Sequence, residues 1–285
     1  MPASTATLVL KNNTLRWSSP EIFNDPFDVP RDLSFGIPVE SLLKAYAERI
    51  VDLINNAPAD CSNISPALRR FIEMVAKSPS DEVKAEVLKS LAEAEKILEF
   101  LGGVLDDLRV MWRESLPNFR ILCLTEKPSH TAMWHHYADQ YRGVVLELKC
   151  DDELCSAWLM ARQVTYPCDK PAIYTAEGWA NLLTLRQDIA IQRVLEEAIH
   201  TKSPDWQYEA EWRVMSVKRQ GDSGLYSDYK FHPSEVAGIY LGPKISEEDR
   251  SEVISLAMAY PHAKIWNVSI GMSREFHFSQ EEGAL

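Results

Sequence analysis

Glu114-Ser115-Leu116-Pro117-Asn118-Phe119-Arg120-Ile121-Leu122-Cys123-Leu124-Thr125 marks the point where the chain changes its periodicity. Before Pro117, apolar residues recur at helical spacing; after it, Arg120 to Thr125 reads as a strand. Working back from the proline, Val39, Leu42, Leu43, Tyr46, Ile50, Leu53 and Ile54 predict a helix with Pro38 near its first turn. Leu68, Phe71, Ile72 and Val75 predict a shorter one. Val83, Val87, Leu88, Leu91, Ala94, Ile97, Leu98 and Leu101 predict a longer one, interrupted or ended by Gly102-Gly103 before Val104 to Leu116. Working forward, strands are expected at 143–149, 162–166, 211–218, 226–231, 236–241, 264–270 and 274–278. One long helix is expected from Ala176 towards Thr201, and another from Ser246 to Tyr260 with Ser246 and Asp249 as a capping box. The tail from Gln280 to Leu285 is expected to fray. The sum is an α+β fold: one domain over 1–285 with a bent, mostly antiparallel sheet, and a helical insertion or cap at 38–116.

The start of the chain adds an opening strand over 5–17, closed by a turn at Ser18-Ser19-Pro20. A second turn is expected at Asn24-Asp25-Pro26-Phe27-Asp28, because the residue before proline avoids helix. Asn24 and Asp25 suit Asx-type turns there, with Phe23 and Phe27 anchoring the loop. Asp25 and Asp28 alone make a weak cation site, since calcium and magnesium want more oxygen ligands.

The chemistry-bearing stretch is Asp205-Trp206-Gln207-Tyr208-Glu209-Ala210-Glu211-Trp212-Arg213. Strand alternation puts Glu209 and Glu211 on one face, where like charges repel. Either a cation, an arginine or a ligand lies against them, or they form a solvated edge with Arg213 as partner. A second stretch, Met133-Trp134-His135-His136-Tyr137-Ala138, reads as a short helix with Ser129 as its cap, following the strand that ends at Thr125. Consecutive histidines on a helix diverge by about 100° and do not share a metal. His136 or Tyr137 suits stacking on a flat ring or moving a proton; Trp134 and Tyr137, three apart, also suit a simple core contact. A third feature is Arg16 beside Ser18 and Ser19, where a guanidinium can hold a pyrophosphate bidentately or pair with a surface carboxylate. Gly242-Pro243-Lys244 reads as a strand-to-helix turn, with an anion site as the alternative.

The chain has 285 residues and a formal net charge of −12, a balance that repels nucleic acid and anionic membranes in general. Its five cysteines show no metal spacing and are expected to be reduced, which points to the cytoplasm. The N-terminus lacks the charged and apolar regions of a signal peptide, and no apolar run of about 18 residues exists. Glycine-rich phosphate loops and the Gly-x-Ser-x-Gly elbow are absent, so Rossmann and P-loop nucleotide binding are not expected.

Taken together, the Arg16 strand, the Asn24–Phe27 loop, the Trp134–Ala138 helix leading to Gly143, and the Asp205–Arg213 stretch resemble a bacterial and archaeal family known as domain of unknown function 2971. The resemblance spans roughly 14–245 and implies no settled activity. The order strand-Arg, strand-Thr, Glu-x-Glu is also similar to ADP-ribosyltransferases. That similarity implies NAD as substrate, with no metal: Arg16 on the dinucleotide, Thr125 on the nicotinamide side, Glu211 on the ribose, and Glu209 facing an unidentified acceptor. Asn24, Asp25 and Arg213 would line the same cleft, with His136 and Tyr137 against a ring. The single Thr125-Glu126, where that superfamily has a Ser-Thr-Ser run, departs from the pattern. A use in stress response or phage defence would suit such a family. The alternatives are a non-catalytic binding or regulatory protein, whose Glu pair is a salt-bridge node with Arg16 and Arg213, and a metal-dependent nuclease or hydrolase built on Asp25, Asp28, Glu209, Glu211 and His136.

Overall fold

The computed structural model describes residues 1–33, 37–56, 58, 60–77, 85, 89 and 95–281. In chain order the helices are α1 (Ala3–Asn12), α2 (Val39–Asn55), α3 (Pro66–Ala76), α4 (Glu95–Ser115), α5 (Thr131–Tyr137), α6 (Ala176–Thr184), α7 (Gln187–His200) and α8 (Glu247–Ala257). The strands are β1 (Thr14–Ser18), β2 (Phe119–Thr125), β3 (Val144–Leu148), β4 (Arg162–Gln163), β5 (Glu211–Val217), β6 (Tyr226–Lys230), β7 (Val236–Leu241), β8 (Lys264–Ile270) and β9 (Phe276–Gln280). Helix and antiparallel sheet are therefore mixed, as the change at Pro117 predicts. The chain divides into two compact units: Met1–Ile22, Asn118–Val164 and Asp205–Leu285 in the first, Phe23–Pro117 and Thr165–Pro204 in the second.

The first unit holds two sheets where a single bent one was expected. One has the order β4-β5-β2-β1-β6, all antiparallel. The other is β3-β7-β8-β9, antiparallel except for the parallel β7–β8 pair. That parallel step needs a crossover, and α8 lies in the connection. Both sheets feed one apolar cluster: Leu15, Trp17, Leu122, Val214 and Tyr229 from the first, Val144, Val236, Ile239, Leu241 and Ile265 from the second. Along β1, Leu15 and Trp17 are buried while Arg16 between them is exposed, the period of two that one covered face imposes.

Residues 5–12 are helical, which corrects the expected opening strand. Ala3, Ala6, Val9 and Leu10 are the buried positions of α1, spaced by three and four, and the helix packs on α8. Asn13, with φ 50°, caps its end and returns its N–H to Val9 O, so the strand begins only at Thr14. Ser246 caps α8 by accepting from Asp249 N, but its hydroxyl donates to the Asp249 carboxylate, so the reciprocal half of the capping box is replaced by a side-chain bond.

In the second unit α2 and α3 form as expected, with Pro38 at the N-cap position of α2 and Ser65 capping α3. The longer predicted helix begins at Val83; Val83, Val87, Leu88, Leu91 and Ala94 lie outside the described residues, and α4 takes up from Glu95. Gly102-Gly103 neither interrupts nor ends it; a Cβ at either would meet no atom within 4 Å. The single helix expected over 176–201 is two. Leu185 bridges Ile64, Ser65 N donates to Thr184 O, and Arg186 N donates to Asn63 O, so another segment's backbone takes the hydrogen bonds at the break. Residues 282–285, where fraying was expected, lie outside the described residues.

The Gly242-Pro243-Lys244 turn has a steric reason. Gly242 N donates to Gly143 O and Lys244 N to Tyr141 O, which draws the turn onto that backbone. A Cβ on Gly242 would lie 2.3 Å from Tyr141 O and 2.7 Å from Gly143 O. Gly242→Ala must push backbone against backbone, and is expected to lower unfolding stability by about 1–3 kcal/mol in a urea titration. The Lys244 ammonium sits 5.2 Å from the centre of the Tyr141 ring.

Candidate functional site

The two glutamates reach the site through a kink and not through an uninterrupted strand. Glu209 ends a 3-10 turn, Pro204–Glu209, and Glu211 opens β5. Ala210 between them is left-handed, with φ 43°. Simple alternation therefore does not relate the two carboxylates, which corrects the expected shared strand face. Turn and strand are tied at this point: Ala210 N donates to Gln207 O, and the Thr125 hydroxyl donates to Glu209 O at 2.6 Å.

Each carboxylate has its own partner. The Tyr137 hydroxyl donates to Glu209 Oε1 at 2.7 Å. Arg213 grips Glu211 with two bonds, Nε to Oε1 at 2.7 Å and a terminal nitrogen to Oε2 at 3.0 Å. Glu209, Glu211 and Arg213 are all buried, and the Arg213 side chain has no exposed surface. A buried ion needs a close counter-charge and satisfied hydrogen bonds, and the planar guanidinium supplies both. In the ladder, Glu211 lies directly opposite Thr125, and Arg213 lies between Cys123 on β2 and Arg162 on β4.

Helix α5 carries the ring cluster. Trp134 is buried and donates from Nε1 to Pro128 O. His136 is exposed and sits edge-on to Tyr137 and to His135. The cap of α5 is His130, which makes no side-chain capping bond, and not Ser129. Directly after the helix, Asp139, Gln140 and Tyr141 take φ of 46°, 51° and 74° in succession. Three consecutive left-handed non-glycine residues are costly and persist only when the surroundings hold them. Gln140 N to His135 O, Tyr141 N to Trp134 O, Gly143 N to Ala138 O and the Arg142–Asp139 ion pair do so. The sequence carries no glycine at these positions to announce the turn.

Arg16 lies on the same sheet, paired with Asp228 at 3.0 and 3.1 Å and stacked 3.9 Å from the centre of the Tyr226 ring. The bond to Asp228 holds the Arg16 guanidinium above its ordinary pKa. Asn24 and Asp25 belong to the other unit. There Asp25 Oδ1 accepts from Phe27 N, the Asx turn that the sequence predicts. Phe27 is 87% exposed and anchors nothing, against expectation. Asp28 pairs with Lys202 at 3.6 Å, both side chains buried. Thr125 and Tyr137 thus both donate to Glu209, Arg213 donates to Glu211, Arg16 donates to Asp228, and Asn24 and Asp25 belong to the other unit. Among the described residues no three His, Cys, Asp or Glu side chains come together to hold a metal ion.

The stretch that carries α5, its strained exit turn and the Glu209–Arg213 kink is also the stretch that matches a known family profile. Residues 133–214 match the family model DUF2971, a protein of unknown function. The DUF2971 segment contains Trp134, His136, Tyr137, Glu209, Glu211 and Arg213, but neither Arg16 nor Thr125, so it is narrower than the motifs suggested. No curated protein and no solved structure matches the chain. Within the DUF2971 segment and the rest of the described residues, no helix is long and apolar enough to cross a membrane.

Proposed function

We propose that this chain is an ADP-ribosyltransferase-like enzyme that cleaves the nicotinamide–ribose bond of NAD. The observation that supports the reading most is the strand arrangement. Glu211 on β5 faces Thr125 on β2 directly, and β1 with Arg16 is the next strand across. Three residues 195 positions apart in sequence, from 16 to 211, thereby fall on three neighbouring strands of one sheet. Glu211, oriented by Arg213, stabilises the ribosyl cation as the bond from C1′ to nitrogen breaks and nicotinamide leaves with the electron pair. Water or another acceptor then forms the new bond to C1′ and gives up its proton. Tyr137 positions Glu209 towards that acceptor, and Arg16 holds the pyrophosphate.

In the structure Arg16 is occupied by Asp228, so a dinucleotide must displace that carboxylate. Arg16→Ala is expected to weaken NAD binding about tenfold in calorimetry, the worth of one charge-assisted contact. Asp228→Asn, which releases the guanidinium, is expected to strengthen it. Unchanged affinity in both variants would remove Arg16 from the site.

A second reading has its own support. Glu209, Glu211 and Arg213 are all buried, which suits a structural node in a binding or regulatory protein. That reading has no turnover of NAD under any acceptor condition.

A further inference from the structure

The first unit contains an open cavity of about 140 Å³, the scale of a site that takes an aromatic ring. Its walls include Trp17, Trp158, Met160 and Tyr229, with Arg219 and Lys230 also lining it. None of the residues proposed for the NAD site lines it. Val214 and Ser216 line it and alternate along β5 with the Glu211 and Arg213 positions, and Trp17 alternates with Arg16; Met215, of the same parity as Glu211, also reaches its wall. The cavity is therefore separate from the site proposed for NAD.

Its chemistry is specific. Trp17 and Tyr229 have ring centres 5.6 Å apart, tilted by 53°, and the Arg219 guanidinium lies 4.1 Å from the centre of the Tyr229 ring. The Tyr229 hydroxyl is turned away to Asp222, which also accepts from Ser227 and from Arg219 N, so the tyrosine offers its ring and not its oxygen. Lys230 Nζ donates to Asn12 O. The Trp158 indole N–H is buried with no partner among the described residues. Met160 is 73% exposed, an unusual position for a side chain that adapts to apolar ligands. In a chain of net charge −12, two cations lining an aromatic cavity select for an anion.

We propose that this cavity binds a planar aromatic anion, a ring system bearing a carboxylate or phosphate, with its ring among Trp17, Trp158 and Met160 and its charge at Arg219. Cation–π contact and charge-assisted hydrogen bonding act together in such a site. The probe is 2-naphthoate, titrated by calorimetry against the full chain, with neutral 2-naphthamide as the matched control. The expected result is one site per chain for naphthoate, at least about tenfold tighter than for the amide. Arg219→Gln is expected to bring naphthoate down to the level of the amide, with circular dichroism unchanged, and NAD binding is expected to be unaffected. Equal affinity for the two probes, no saturable binding, or full binding by Arg219→Gln would overturn the proposal. Competition between naphthoate and NAD would overturn its separateness.

Discussion

Replacing Arg213 with leucine is expected to cost the fold about 3–5 kcal/mol, because it removes the guanidinium that makes two hydrogen bonds to the buried Glu211 carboxylate. Arg213 has no exposed side-chain surface and makes both of these bonds, so solvent cannot take over its role. Urea unfolding of the two proteins measures the difference. The double variant Glu211→Leu with Arg213→Leu is expected to recover much of the loss, since it removes both charges of the buried pair. Arg16→Ala makes the contrast. Its pair with Asp228 is about half exposed, and exposed pairs contribute about 0–1 kcal/mol. If Arg213→Leu cost no more than Arg16→Ala, the buried pair would not be a structural element of this unit.

Glu211→Gln is expected to lower nicotinamide release from NAD by about a hundred- to a thousandfold, the usual effect of removing one electrostatic stabiliser of a transition state. The amide keeps the shape and one acceptor oxygen for Arg213, so the fold is weakened less than by Arg213→Leu. Assays must run well below the variant's thermal midpoint, which separates lost chemistry from lost structure. Glu209→Gln is expected to reduce transfer to an acceptor more than hydrolysis, because Glu209, held by Tyr137, is the carboxylate proposed to face the acceptor. Equal turnover by wild type and Glu211→Gln would remove the glutamate from the chemistry.

Much of the fold is legible in the sequence where a period repeats. The strand-like runs Arg120–Thr125 and Glu211–Val217 place β2 and β5, and the spacing of Leu42, Leu43, Ile50, Leu53 and Ile54 places α2. What escapes is set by contacts distant in sequence. Residues 5–12 read as a strand because the short run Ala6, Val9, Leu10 is ambiguous without its partner α8. The break at Leu185 arises from backbone bonds to Asn63 and Ser65, about 120 positions away, and no proline or glycine marks it.

The site is legible in its residue types and not in its geometry. Glu-x-Glu followed by arginine predicts a charge cluster, and Glu211 with Arg213 forms one. Ala210 breaks the regular strand between the two glutamates: an alanine with φ 43° is invisible to an alternation argument that assumes a regular strand. The same holds for Asp139, Gln140 and Tyr141, whose left-handed run is maintained by bonds to α5 and not by glycine. Arg16 reads in the sequence either as a pyrophosphate clamp or as the partner of a surface carboxylate, and the carboxylate is Asp228. Its hold on Asp228 follows from the β1–β6 register, which sets Arg16 opposite Asp228, and register is not written in either strand alone.

The proposed cleavage of the nicotinamide–ribose bond is tested by release of free nicotinamide from NAD by the purified wild-type chain in the presence of a chelator. Steady release that the chelator does not diminish is expected. No release with water or any offered acceptor, together with no NAD binding in calorimetry, would contradict it and leave the buried Glu211–Arg213 pair as a structural node.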